Sequence, residues 1–99
     1  MKQNEKLLEN IEKFEVRHKL PKWFNGECYT HGDTVQNRFS GEEYELDAAE
    51  LSMYDFIMGA TMVYEMQGFN VNPKIVKDLR KGLDWFRKHN ARAYMVLLD

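Results

Sequence analysis

From Leu51 to Tyr64 the chain runs for fourteen residues with a single charge, Asp55, in a sequence that is 30% charged. Apolar mass concentrates here, and the rest of the chain must cover this stretch or join onto it. Asp47 with Glu50 three residues later is a capping box in its acidic form, which places a helix start just before the stretch. The pattern predicts a helix from about Ala48 to Gln67, stopping at Gly68. At about 100° per residue, Glu50, Tyr54, Thr61 and Glu65 share one narrow polar strip, and nearly every other direction is apolar. A helix that is apolar almost all round is expected to be buried almost all round. Ninety-nine residues make one domain, 1–99, with one modest core. If its own elements do not cover the helix, a second copy of the chain is the natural remaining cover.

The available covers come from both sides. Residues 3–19 predict a surface helix in which Leu7, Leu8, Ile11, Phe14 and His18 form an apolar stripe, expected to dock onto the core. Glu9/Lys13 and Glu15/Lys19 add i,i+4 pairs, and Leu20-Pro21 ends the helix because the residue before proline is pushed out of the α region. Trp23-Phe24 is an aromatic plug for the core, followed by a turn at Asn25-Gly26. Between Glu27 and Leu46 the texture becomes β-like, with short runs at Glu27–Thr30, Thr34–Gln36 and Glu42–Leu46. Tyr44 and Leu46 alternate with Glu43 and Glu45, as in a half-buried strand. An antiparallel meander of two or three strands this small must lean on helices.

After the central helix, Asn72-Pro73 opens another, with Asn72 as cap and Pro73 in the first turn. Ile75, Val76, Leu79, Leu83 and Phe86 form its buried stripe. Gly82, unfavourable inside a helix, implies close approach to a neighbouring helix, expected near Gly59-Ala60. Asn90 can cap a short last element carrying Ala93, Tyr94, Val96, Leu97 and Leu98, either helix or strand. The fold class is therefore α+β: three main helices, a small antiparallel β-meander between the first and second, and a short C-terminal helix or strand.

Two blocks carry a resemblance. Phe39-Ser40-Gly41-Glu42-Glu43-Tyr44-Glu45-Leu46 runs into Glu50–Ala60, and later come Gly82–Asn90 and the ending Ala93–Asp99. Together, over roughly residues 22–99, they resemble small uncharacterised proteins of marine tailed phages, including phages of cyanobacteria. That resemblance implies a source and a cytoplasmic setting in a host cell. It implies a small accessory or host-interaction protein more than a metabolic enzyme, and it supplies no catalytic residue.

The charge is −2 overall but unevenly spread. Residues 1–22 carry six basic and four acidic side chains, residues 23–66 one basic and nine acidic, and residues 67–99 seven basic and three acidic. Basic ends flanking an acidic middle suggest internal complementarity. The one cysteine, Cys28, excludes an internal disulfide and fits a reducing compartment. The start of the chain has no apolar secretory core, and the central apolar stretch is too short for a bilayer.

Chemistry-bearing patterns are sparse. Cys28-x-x-His31 with Asp33 nearby has ligand spacing, but a structural zinc site takes four ligands and no second pair occurs; His18 and His89 would have to converge by folding. The acidic surroundings of Cys28 oppose a reactive thiolate. The six glycines fit neither a P-loop nor a dinucleotide fingerprint, and no GxSxG or HExxH occurs. No catalytic residue, metal ligand or cofactor is assigned. Asp55 falls off the polar strip, among Leu51, Gly59, Met62 and Met66, and is the candidate buried polar site, expected to find a partner there. Met58, Met62, Met66, Tyr94 and Leu97 are the candidate protein interface, since methionines on one helix make an adaptable surface. Lys74, Lys77, Lys81 and Lys88 on the basic helix 73–92 are a weaker nucleic-acid candidate, interrupted by Asp78 and Asp84. The expected function is protein–protein interaction, as a homo-oligomer or on a host protein. Nucleic-acid association and a small enzyme or ligand binder around Asp55 are the alternatives.

Overall fold

The computed structural model describes the backbone of residues 2–99 and the side chains from Leu7 onward. Its elements are α1 (Lys2–Lys19), β1 (Asp33–Gln36), β2 (Glu43–Leu46), α2 (Ala48–Gln67), α3 (Pro73–His89) and α4 (Ala91–Leu97), with a 3-10 turn at Gly68–Asn70. This is the expected α+β arrangement, with the strands between the first two helices and the C-terminal element a helix.

The start of α2 forms as its capping box predicts. Asp47 Oδ1 accepts the Glu50 N–H at 2.8 Å, and Glu50 Oε1 accepts the Asp47 N–H at 2.9 Å. The helix stops at Gly68, whose φ of +55° suits glycine. Asn72 caps α3 by accepting the Lys74 N–H at 2.9 Å, with Pro73 in the first turn. Asn90 caps α4 by accepting the Ala93 N–H at 3.1 Å.

The buried face of α2 is Ala49, Met53, Ile57 and Ala60, and α3 packs along it. Gly82 makes that approach possible: a Cβ there would lie 3.3 Å from both Ile57 Cγ1 and Met53 Sδ. The close approach is thus real but one turn earlier on α2 than expected; Gly59 faces open space. Phe24, Leu46, Phe86, Ala93 and Leu97 complete the core.

The sheet is a two-stranded antiparallel hairpin in which Asp33 pairs with Leu46 and Val35 with Tyr44. Leu46 is buried and Tyr44 half-buried, while Glu43 and Glu45 face solvent, as the alternation requires. The Glu27–Thr30 run is not a strand. Its Tyr29 N–H donates to Ser52 Oγ on α2 at 2.9 Å, so this backbone is stitched to a helix instead of a ladder. Asn37 ties the hairpin to α4: its Nδ2 donates to the Val96 carbonyl at 2.9 Å while its Oδ1 accepts the Phe39 N–H at 2.8 Å.

Two expectations about helix packing are corrected. The stripe of α1 does not dock: Leu7, Leu8, Ile11, Phe14 and His18 are all exposed, and α1 is held instead by Val16, with Leu20 just beyond its end. At about 100° per residue, Val16 and Leu20 project on the side of the helix opposite the stripe. Nor is α2 buried all round. Beyond Ala60 it runs past the core, and every residue from Tyr64 to Asn70 is exposed.

Candidate functional site

Among the described residues the buried carboxylate is Glu50, not Asp55. Glu50 is 6% exposed, at the N-terminus of α2, where it faces the junction of α3 and α4. Its Oε1 closes the capping box, and its Oε2 accepts the Asn90 Nδ2 hydrogen at 2.8 Å with His89 Nε2 at 3.8 Å. Asn90 is occupied at both ends of its amide, on Glu50 and on the Ala93 N–H. The His89 ring lies flat on Trp85, with centroids 4.4 Å apart. Ligand atoms of Asp47, Glu50 and His89 lie within 4.8 Å of one another, but the two carboxylates already accept backbone and amide hydrogens. This arrangement is a brace that locks three helix ends together. Among the described residues, Cys28 and His31 join no such group.

Asp55 is exposed on the outer side of α2. The expectation of a buried partner fails because the wheel assigns a direction and not a depth: the Asp55 carboxylate stays open to solvent, with the Tyr29 side chain beside it. Asp55 does act on its neighbourhood. Its negative charge holds the Tyr29 hydroxyl above the usual tyrosine pKa, with partial burial and Glu27 adding to the effect. Tyr29 therefore contributes stability that is fully present below its unfolded value, about 10, and lost as pH rises through the higher folded value. Replacing Asp55 with asparagine should move the Tyr29 titration to lower pH, read as an earlier tyrosinate rise in the ultraviolet spectrum. An unmoved titration would show that the two groups do not interact.

Of the five candidate interface residues, Leu97 belongs to the core and Tyr94 is half-buried, so those two are not free to meet a partner. Met58, Met62 and Met66 do stand on the surface. They follow one another at i,i+4 spacing along the outer side of α2, with Met62 61% and Met66 79% exposed, and Phe69 fully exposed at the following turn. Asp55 and Glu65 flank this row and are both acidic. Phe39, in the hairpin loop, is also bare; Leu97 and Met58 line the groove between it and α2. The α1 stripe is the second uncovered apolar surface, with Leu7 58% and Phe14 71% exposed. The Phe14 and His18 rings stack on one another, centroids 6.3 Å apart. Monomeric proteins seldom leave contiguous apolar patches larger than a few hundred Å².

The basic face of α3 is partly neutralised by its own carboxylates. Lys74 pairs with Asp78 at 3.4 Å, and Lys88 and Arg87 both reach Asp84, at 3.0 and 3.1 Å. These neighbours hold Asp84 below the usual carboxylate range, the Lys88 hydrogen bond being the largest influence. Lys81 lies with its Nζ 5.9 Å from the centre of the Trp23 ring, and Lys77 is exposed.

Among the described residues no helix is long and apolar enough to cross a membrane. Comparison with protein-family models, curated proteins and solved structures finds no match for this chain.

Proposed function

We propose that this protein acts by binding protein, and that the first partner is a second copy of itself. The observation that carries the reading is the pair of uncovered apolar surfaces, the α1 stripe and the outer row of α2, on a domain whose core is otherwise closed. Leucine, phenylalanine and methionine are the residue types that interface cores use, and methionine adapts its shape to what it meets. A small accessory protein of phage type in the host cytoplasm, the role the sequence resemblance implies, would work in this way. Light scattering across the micromolar range tests the reading. The expected result is a mass that rises with concentration to twice that of one chain. A single-chain mass at every concentration would sink it.

A further inference from the structure

We infer that two copies join by exchange, the apolar stripe of each α1 lying along the outer Met58–Met62–Met66 row of the other's α2. This inference rests on the self-association reading and specifies its geometry. Three observations carry it.

The first is that, among the described residues, neither surface is covered within its own chain. The anchor of α1, Val16 with Leu20, projects opposite the stripe, so the stripe cannot turn inward without detaching the helix. The row on α2 likewise lies across the helix from the face that α3 occupies. The second is length. Leu7 to Phe14 covers about 10 Å of helix and Met58 to Met66 about 12 Å, at 1.5 Å per residue. The two rows match, and a two-fold axis can cover both rows on both chains in one closed assembly.

The third is area. Taking about 150–250 Å² for a fully exposed large side chain, the exposed fractions of Leu7, Leu8, Ile11, Phe14 and the α2 row with Phe69 amount to on the order of 1,000 Å² per chain. A stable interface takes about 800 Å² from each partner. Pairing α1 only with the second copy's α1 would use under half of this and leave the α2 row bare. The charges agree in sign: α1 has five basic and four acidic side chains, whereas α2 has three acidic and no basic ones, with Asp55 and Glu65 on its exposed surface.

Disulfide trapping tests the geometry. In a Cys28→Ser background, Ile11→Cys and Met62→Cys are placed on separate chains, mixed in equal amounts and oxidised mildly, with light scattering of the full chain alongside. The expected product is the mixed Ile11→Cys/Met62→Cys dimer, several-fold over either self-pair. Met62→Lys in the otherwise native chain should weaken the dimer by at least tenfold while leaving the circular dichroism and urea midpoint of the monomer unchanged. A dimer that traps mainly through either self-pair, or through neither position, overturns the exchange and leaves self-association standing. A monomer at all concentrations overturns both.

Discussion

Replacing Phe24 with alanine should cost about 3–5 kcal/mol of folding stability, a large part of the roughly 5–15 kcal/mol typical of a domain. Phe24 has 0% exposure and sits where three segments meet. Its ring meets Phe56 of α2 edge-on with centroids 5.6 Å apart, and Trp23 packs at 6.4 Å. The Arg17 guanidinium at the end of α1 lies 5.7 Å from the ring centre. The Phe24 backbone N–H donates to the Pro21 carbonyl at 3.0 Å, so the turn that delivers the ring is fixed and cannot easily collapse to fill a void. Urea unfolding followed by circular dichroism should show a lower midpoint with an unchanged slope. Phe24→Leu should recover most of the loss but not the edge-to-face contact, about 0.5–1.5 kcal/mol. A loss below about 1 kcal/mol for alanine would mean that the site relaxes around the gap, against the strong cavity term expected of a closed core.

Phe24 also illustrates what the sequence makes legible. An aromatic pair between a helix-ending Leu20-Pro21 and an Asn25-Gly26 turn reads as a core plug, and of the pair Phe24 is fully buried and Trp23 partly. Helix starts were equally readable, because a cap is a local device: Asp47 with Glu50, Asn72 with Pro73, and Asn90 each satisfy backbone donors within three residues. Periodicity, by contrast, identifies an apolar face without saying whether anything lies opposite it. The α1 stripe and the α2 row satisfy the same wheel as the buried stripe of α3, yet among the described residues only the last has a neighbour. Val16 was the available sign: an apolar residue off the stripe at the end of α1 that leads into Leu20, where the chain turns to meet the core.

The errors over Asp55 and Glu27–Thr30 share a cause. Both concern contacts between residues far apart in sequence, which no local pattern encodes. Ser52 takes up the Tyr29 N–H across twenty-three positions and Asn90 reaches Glu50 across forty. Glu50 therefore combines two roles. Its cap role is visible in the sequence, whereas its burial depends on where α3 ends. The wheel placed it on a polar strip because it is a glutamate, and the fold spends that polarity inside.

The second large effect follows from this position. Glu50→Ala should destabilise the domain by about 2–4 kcal/mol, since the Asp47 N–H and the Asn90 amide would both lose their acceptor, at about 1–3 kcal/mol each and toward the lower end because Asp47 is itself exposed and both bonds are only part-buried. Glu50→Gln should cost less. Its carbonyl can still accept the Asp47 N–H, but its amide would then face the Asn90 amide donor to donor. Asn90→Ala should also be costly, because it uncaps α4 and removes one of the two hydrogen bonds to the Glu50 carboxylate. Urea midpoints of the two alanine variants and of the double variant close a cycle. If the brace is one unit, the double variant should lose clearly less than the sum of the two, with a coupling of about 0.5–3 kcal/mol. Strict additivity would show that Glu50 and Asn90 act on separate helix ends, and the junction of α2, α3 and α4 would then owe its rigidity to packing around Phe86 and Ala93 alone.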